Sequence, residues 1–328
     1  MFCEPNLRLP LTPMAKGTTK SLQSKEHYKL SNWSGYNESL KQRGSLNIWF
    51  DDTVKENWLY NGQQKPGGAV VYSETAITFC LTIRSIFRLP YRQTEGMVKS
   101  LMQLSGLYLP VPSYTQFNRR TKSLNVKMSH RNEDIHLVFD STGLKVYGEG
   151  EWKVRKHGWG KHRTWRKMHL AINATTSDIE AVTLTGNDVD DATEVGTLLN
   201  KVAGKITSAR GDGAYDKNKV RQQLGNKGIK QTIPPQKNAV IKDEGESYAI
   251  ERNEAIRRIK ETDRSTWKKE SGYHLRSLVE TSMHRYKTIF TGTLQSRKIE
   301  YESTEVAFKC LLLNKMKNLG MPNSYKVN

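Results

Sequence analysis

Three acidic residues stand where a carboxylate could do chemistry. Asp140 closes the apolar run of IHLVFDSTG, Asp212 lies in the glycine-flanked turn of SARGDGAYD, and Glu280 sits inside SGYHLRSLVETSMHRYK, residues 271–287. Taken singly, each has an ordinary explanation. Aspartates at strand ends commonly form turns or cap helices. Glu280, among Arg276, Arg285 and Lys287, could be an exposed i,i+4 ion pair worth a few tenths of a kcal/mol. At about 100° per residue the 271–287 segment reads as a helix. Leu275, Val279, Met283, Tyr286 and Phe290 form its apolar face. Tyr273, Arg276, Glu280 and Lys287 then fall within about 60° of one another on the adjacent face.

The elements around these residues decide which explanation holds. After residue 130 the pattern gives three consecutive strands: IHLVFD continued by STGLKVYG, TWRKMHLAINATT, and SDIEAVTLT. Helix DATEVGTLLNKVAG, strand KITSARGD, helix DKNKVRQQLGNKG and strand IKQTIPP follow. A polar stretch, 236–270, leads to the helix of Glu280, and ESTEVAFKCLLLNKMKNLG ends the chain as a core helix stopped by Gly320. Three strands followed by alternating helix and strand predict a mixed α/β sheet, in the order of a ribonuclease H-like fold. In that order the first and fourth strands are parallel neighbours, about 4.8 Å apart. Their carboxyl ends face the crevice where open α/β sheets place ligands. Asp140 and Asp212 would meet there, and Glu280 could reach the same place. Three carboxylates crowded together repel and call for cations. Hard oxygen donors with open positions suit Mg²⁺ or Mn²⁺. Two such ions would activate an attacking oxygen and stabilise a leaving one in a phosphodiester displacement.

Charge points to the same substrate. The 328 residues carry 52 Lys and Arg against 33 Asp and Glu, a net charge of +19. Self-repulsion makes such an excess costly, so a polyanionic partner, nucleic acid before an anionic membrane, is the economical explanation. A mean hydropathy of −0.69 and no apolar run near about 18 residues argue against a membrane span. Three well-separated cysteines, Cys3, Cys80 and Cys310, predict neither a disulfide framework nor a zinc site, and suit a reducing cytoplasm. The N-terminus lacks a secretory signal pattern. Because Met14 offers a second start, residues 1–13 are read as an extension.

Residues 14–130 are expected to form a mainly helical domain. Short helices and loops over 14–60 precede helices at SETAITFCLTIRSIFR, YRQTEGMVKSLMQLSG and SYTQFNRRTKSL, the last capped by Ser113. The pair over 91–124 has the build of a helix-turn-helix, with Arg119 and Arg120 as candidate DNA contacts. Residues 151–170 hold seven Lys or Arg, three His and three Trp against one Glu. Such a segment suits a nucleic-acid backbone and unstacked bases. Lys153, Arg155, Lys156, Trp159, Lys161 and Arg163 are its candidate contacts, while metal binding by His157, His162 and His169 lacks zinc spacing. His169 is open to a core or a near-site role. Asp188, Asp190, Asp191 and Asp216 are read as helix caps.

The spacing Tyr273, two residues, Arg276, three residues, Glu280, six residues, Lys287 resembles the Y-(2)-R-(3)-E-(6)-K motif of bacterial insertion-sequence DDE transposases. VFDSTGLKVYGEGEW and ARGDGAYD resemble the first two aspartate motifs of that family. Lys167-Met168-His169-Leu170 and Thr185-Gly186-Asn187 resemble further blocks, and YKLSNWSGYNESLKQRGSLNIWFDD resembles the IS-five group. The resemblance covers the chain from about residue 14. It implies a ribonuclease H-like catalytic domain over 131–328 behind a helical DNA-binding domain over 14–130, with Asp140, Asp212 and Glu280 as the metal-ligating triad. It also implies that Arg276 and Lys287 meet DNA backbone with Tyr273 packed beside them. The implied partners are double-stranded DNA, both terminal repeats and target, with a homodimer or higher assembly joining two ends. The implied reaction is Mg²⁺-dependent cleavage followed by attack of the 3′-OH on target DNA. Two rivals remain at this level: a nuclease of the same fold without strand transfer, and a non-catalytic DNA-binding protein.

Overall fold

A computed structural model describes residues 27–64, 66–128, 133–146, 165–242 and 247–327. The reading of residues 1–13, and the DNA-contact candidates Lys153, Arg155, Lys156, Trp159, Lys161 and Arg163, lie outside the described residues.

The first part is helical. Strand β1 (His27–Leu30) precedes α1 (Trp33–Gln42), α2 (Leu46–Trp49), α3 (Asp52–Glu56), α4 (Glu74–Phe87), α5 (Tyr91–Leu104) and α6 (Tyr114–Thr121). Local chemistry explains the boundaries. Ser73 caps α4 by accepting from the Ala76 amide at 3.1 Å. At its other end Arg88 takes a left-handed conformation (φ 55°), as Leu89-Pro90 cannot continue the helix. Ser113 and Gln116 form a reciprocal capping box on α6. Trp58 is fully buried, packs on Phe50 and Phe79, and donates its indole N–H to the Pro110 carbonyl at 2.6 Å.

The rest is a mixed α/β layer structure with a ribonuclease H-like order. It comprises β2 (Ile135–Val146), β3 (Trp165–Asn173), β4 (Ile179–Gly186), α7 (Val195–Lys201), β5 (Ile206–Arg210), α8 (Asn218–Gly225), β6 (Lys230–Thr232), α9 (Ile250–Glu261), α10 (Arg264–Glu270), α11 (Ser277–Phe290), β7 (Thr293–Leu294), α12 (Ile299–Asn318) and β8 (Ser324–Val327). The sheet order is β4-β3-β2-β5-β6, with β7 added to β2. The first three strands pair antiparallel, and β5, β6 and β7 are parallel additions.

Strand alternation divides the core into two layers. Ile135, Leu137 and Phe139 face a cluster with Val195 and Leu198 of α7 and Val220 and Leu224 of α8. Val138 and Leu144 face the other cluster, which contains Val279 and Tyr286 of α11 and Phe308 of α12. That second cluster runs on into Trp58, Phe79 and Phe117 of the N-terminal helices. The helical part is therefore packed on the sheet through one continuous apolar layer.

Several expectations need correction. Residues 236–270 contain α9 and α10, which mean polarity conceals. Their buried faces mix Ala255, Ile256 and Trp267 with polar Arg252 and Asn253, and the Asn253 amide exchanges two hydrogen bonds with the Lys242 backbone at 3.0 and 2.9 Å. Asp216 is no helix cap. Lys217 holds that place, and the Asp216 carboxylate is buried between Arg221 at 2.9 Å and Arg252 at 3.2 Å. The segment 271–290 is not one regular helix, because Tyr273–Arg276 is a 3₁₀ turn opened by Gly272 at φ 65°. The pairing of β1 with β8 joins the two ends of the described chain, a contact that short polar segments give no periodic sign of.

Candidate active site

Asp140 does not end its strand, since β2 runs on to Val146. What ends beside it is the neighbour. The parallel β2–β5 pairing closes with Val138 opposite Arg210, so two residues further along both strands Asp140 comes level with Asp212. On the same edge of β2, β7 resumes pairing only at Lys145 and Val146. The edge from Phe139 to Leu144 is thus left without a strand on that side, and the acidic crevice opens in this window. Asp212 begins a short 3₁₀ turn and accepts from the Ala214 amide at 2.8 Å. Buried Tyr215 in that turn packs against Phe139 at 6.1 Å between ring centres, anchoring the turn to the back of β2. Gly211 makes room for it, since a Cβ there would lie 2.9 Å from the Tyr215 ring.

Alternation puts Asp140 and Thr142 on the face of β2 covered by α11. The helix is held there by Val279, Met283, Tyr286 and Phe290, all buried as the spacing predicts. Its adjacent face meets the crevice. Arg276 donates two hydrogen bonds to Glu280 Oε1, one of them at 2.8 Å. The same guanidinium lies 3.7 Å from Asp140 Oδ2. Two turns beyond Glu280, Lys287 Nζ donates to Thr142 Oγ1. Tyr273 packs on Trp267 at 6.1 Å, with the Lys268 ammonium 5.1 Å from its ring centre. The four residues of the spaced motif therefore gather at one strand segment. Thr142, which no sequence pattern marked, is the acceptor that seats Lys287.

The charges of Asp212 and Glu280 act on Asp140. Burial pushes the Asp140 pKa above the usual aspartate range. The Ser141 amide and Arg276 pull it down, while Asp212 and Glu280 push it up further. Burial also raises the Tyr273 pKa, and the charges of Asp212, Asp140 and Glu280 act on it as well. Among the described residues no group of three or more His, Cys, Asp and Glu side chains is gathered closely enough to hold a metal ion. The donor set nonetheless suits a hard divalent cation, because it offers carboxylate oxygens that destabilise one another's charge. Arg276 already places positive charge between two of them.

His169 resolves towards the core. It is fully buried, its Nε2 shares a hydrogen bond of 2.8 Å with Thr185 Oγ1, and its Nδ1 is 3.8 Å from Asp191 Oδ1. Paired with Ser141 across the strands, it stands on the opposite sheet face from Asp140. Asp190 caps the turn Asp191–Glu194 through the Ala192 amide at 2.9 Å, as expected. In α6, Arg119 is exposed, whereas Arg120 turns inward and donates to the Tyr72 carbonyl.

A ribonuclease H-like sheet with an acidic crevice at this edge defines a class of protein suited to chemistry on phosphodiesters. A family model described as a transposase DDE domain matches residues 131–315, and a second of the same description matches residues 41–149. The chain belongs to the DDE transposases. Membership implies DNA as a partner and a divalent ion as cofactor.

Proposed function

We propose that this transposase binds the ends of an insertion sequence, hydrolyses a phosphodiester there, and transfers the freed 3′-OH into target DNA. The observation that carries the reading is the Arg276 guanidinium between Asp140 and Glu280, on the face of α11 that also presents Lys287. Cations and carboxylates interleaved in this way suit a phosphate group with divalent ions on it. Asp140, Asp212 and Glu280 would hold the ions, Mg²⁺ or Mn²⁺, and a displacement with both an attacking and a leaving oxygen favours two. Bound there, they supply Lewis-acid charge for both the attacking and the leaving oxygen.

The chain's own residues do the rest. Arg276 and Lys287 take backbone phosphates and fix the scissile bond over Asp140 and Asp212. Tyr273 stiffens the turn that carries Arg276. Arg119 of the 91–124 helix pair, with the basic segment holding Lys153, Arg155, Lys156, Trp159, Lys161 and Arg163, extends the grip on duplex DNA, whereas Arg120 is held by the Tyr72 carbonyl. Residues 14–130 serve mainly end binding and 131–328 catalysis, and two copies hold the two ends.

The test is a strand-transfer assay with labelled terminal-repeat duplexes, Mg²⁺ and a supercoiled target. Joined products lost in Asp140→Asn, Asp212→Asn and Glu280→Gln support the reading. Metal-dependent nicking without joined products would replace it by a nuclease, and DNA binding without any cleavage by a non-catalytic binder.

A further inference from the structure

Arg285 looks in sequence like another basic neighbour of Glu280, but the fold turns it elsewhere. Five residues on, it lies about 140° round α11 from Glu280. It lines an open cavity of about 230 Å³ between α1, the β3–β4 turn, α11 and α12. Arg43, just past the end of α1, lines the same cavity. Arg43 Nη2 donates to the Gly320 carbonyl at 3.0 Å, and its guanidinium lies 5.9 Å from the Tyr36 ring centre. Its Nε is buried with no acceptor. Among the described residues neither arginine meets a carboxylate, and Arg285 has no hydrogen-bond acceptor at all. Lys317, the third cation of the wall, differs: Asp178 at 2.6 Å and the Thr176 carbonyl at 2.7 Å satisfy it. Burial holds the Arg285 pKa below the usual arginine range, with Tyr36 raising it and the Arg43 charge lowering it further.

Two half-buried cations that repel each other and lack a counter-charge cost stability. An anion that both could bind explains the arrangement. Guanidinium forks match phosphate oxygens bidentately, which an ammonium cannot do. The rest of the wall is mixed, and its apolar part, with Tyr36, Ile179, Ile289 and Leu313, suits a planar base next to the phosphate.

We propose that this cavity binds a nucleotide, with its phosphate on Arg43 and Arg285 and its base against the apolar wall. The nucleotide is either free in solution or a unit of a DNA strand. The site lies on the far side of α11 from the acidic crevice and does not depend on the strand-transfer reading.

The test uses the full-length protein, with AMP, pyrophosphate, a short single-stranded oligonucleotide and citrate as probes at matched ionic strength. Binding is followed by calorimetry and thermal shift. AMP or the oligonucleotide is expected to bind and to raise Tm. Arg285→Gln and Arg43→Gln should each weaken that binding about 10-fold or more, the scale of a lost hydrogen bond to a charged group, while Lys227→Gln, at an exposed lysine outside the cavity lining, leaves it unchanged. Without a probe, Arg285→Gln should have a Tm equal to or above the parent, as it removes an uncompensated charge. If that variant does not fold, Arg285→Lys, which keeps charge but loses the fork, should still lose affinity. Binding of AMP assigns a free nucleotide, and binding of the oligonucleotide alone assigns a DNA strand. The proposal is overturned if no probe binds, if citrate matches AMP, if the arginine variants bind like the parent, or if Lys227→Gln loses as much binding as they do.

Discussion

At Asp140, burial and two neighbouring carboxylates oppose ionisation, while Arg276 and the Ser141 amide favour it. The balance leaves the ionised group disfavoured in the fold. Asp140→Asn is therefore expected to raise Tm at neutral pH when divalent ions are absent, and to lower cleavage by at least about 100-fold, since losing even a supporting partner of a metal site costs 10–100-fold. Thermal melts with chelator, beside a cleavage assay, check both halves. Arg276→Gln should weaken DNA binding and reduce the salt slope by about one unit, as expected for one lost phosphate contact. An unchanged slope would assign Arg276 to the carboxylates alone. His169 gives a pH signature away from the crevice. Burial lowers its pKa, so the folded chain binds its proton less readily than the unfolded one. Stability contributed by the neutral ring is complete above the unfolded histidine value of about 6.5 and declines as pH falls below it. Tm measured from pH 8 to pH 5 should drop on the acid side, and less so in His169→Gln.

Among the elements, the junction between β6 and α9 depends on Asp216. Its carboxylate, buried with Arg221, also receives Arg252 and the Gln236 amide at 3.0 Å. Removing one member of such a network leaves uncompensated buried charge, so Asp216→Ala should cost about 3–5 kcal/mol, read by denaturant unfolding. A small loss would mean that the arginines find other partners. The spacing-based reading of α11 succeeded because its apolar residues recur at helical intervals. The α9–α10 region was illegible for the converse reason: its few buried apolar residues, Ala255, Ile256 and Trp267, are interleaved with buried Arg252 and Asn253 and make no helical stripe.

For the molecule as a whole, the apolar layer shared by Trp58, Phe117, Val138 and Val279 ties the N-terminal helices to the sheet. Trp58→Ala should cost about 3–5 kcal/mol. It should lower the melting of the whole chain in one transition rather than release the N-terminal helices first. Calorimetry showing two separate transitions would make the helical part an independent unit. No helix among the described residues is long and apolar enough to cross a membrane, and the net charge of +19 is instead the long-range attraction that DNA requires.

The sequence by itself determined the strand order and the helix of Glu280, and it singled out three carboxylates as candidates for the site. These depend on local periodicity, on turn-forming residues and on motif spacing, all of which lie along the chain. Tertiary structure alone decided three other things: that β5 stops and β7 resumes along β2 so as to open an edge beside Asp140, that Thr142 seats Lys287, and that Arg285 faces Arg43 rather than Glu280. Each depends on pairing or packing between segments far apart in sequence, such as α1 with α11, and residue type carries no record of which distant side chain will be opposite. Asp216 shows the limit most plainly. The same residue type that caps a turn at Asp190 becomes a buried counter-ion there, because two arginines from different elements converge on it.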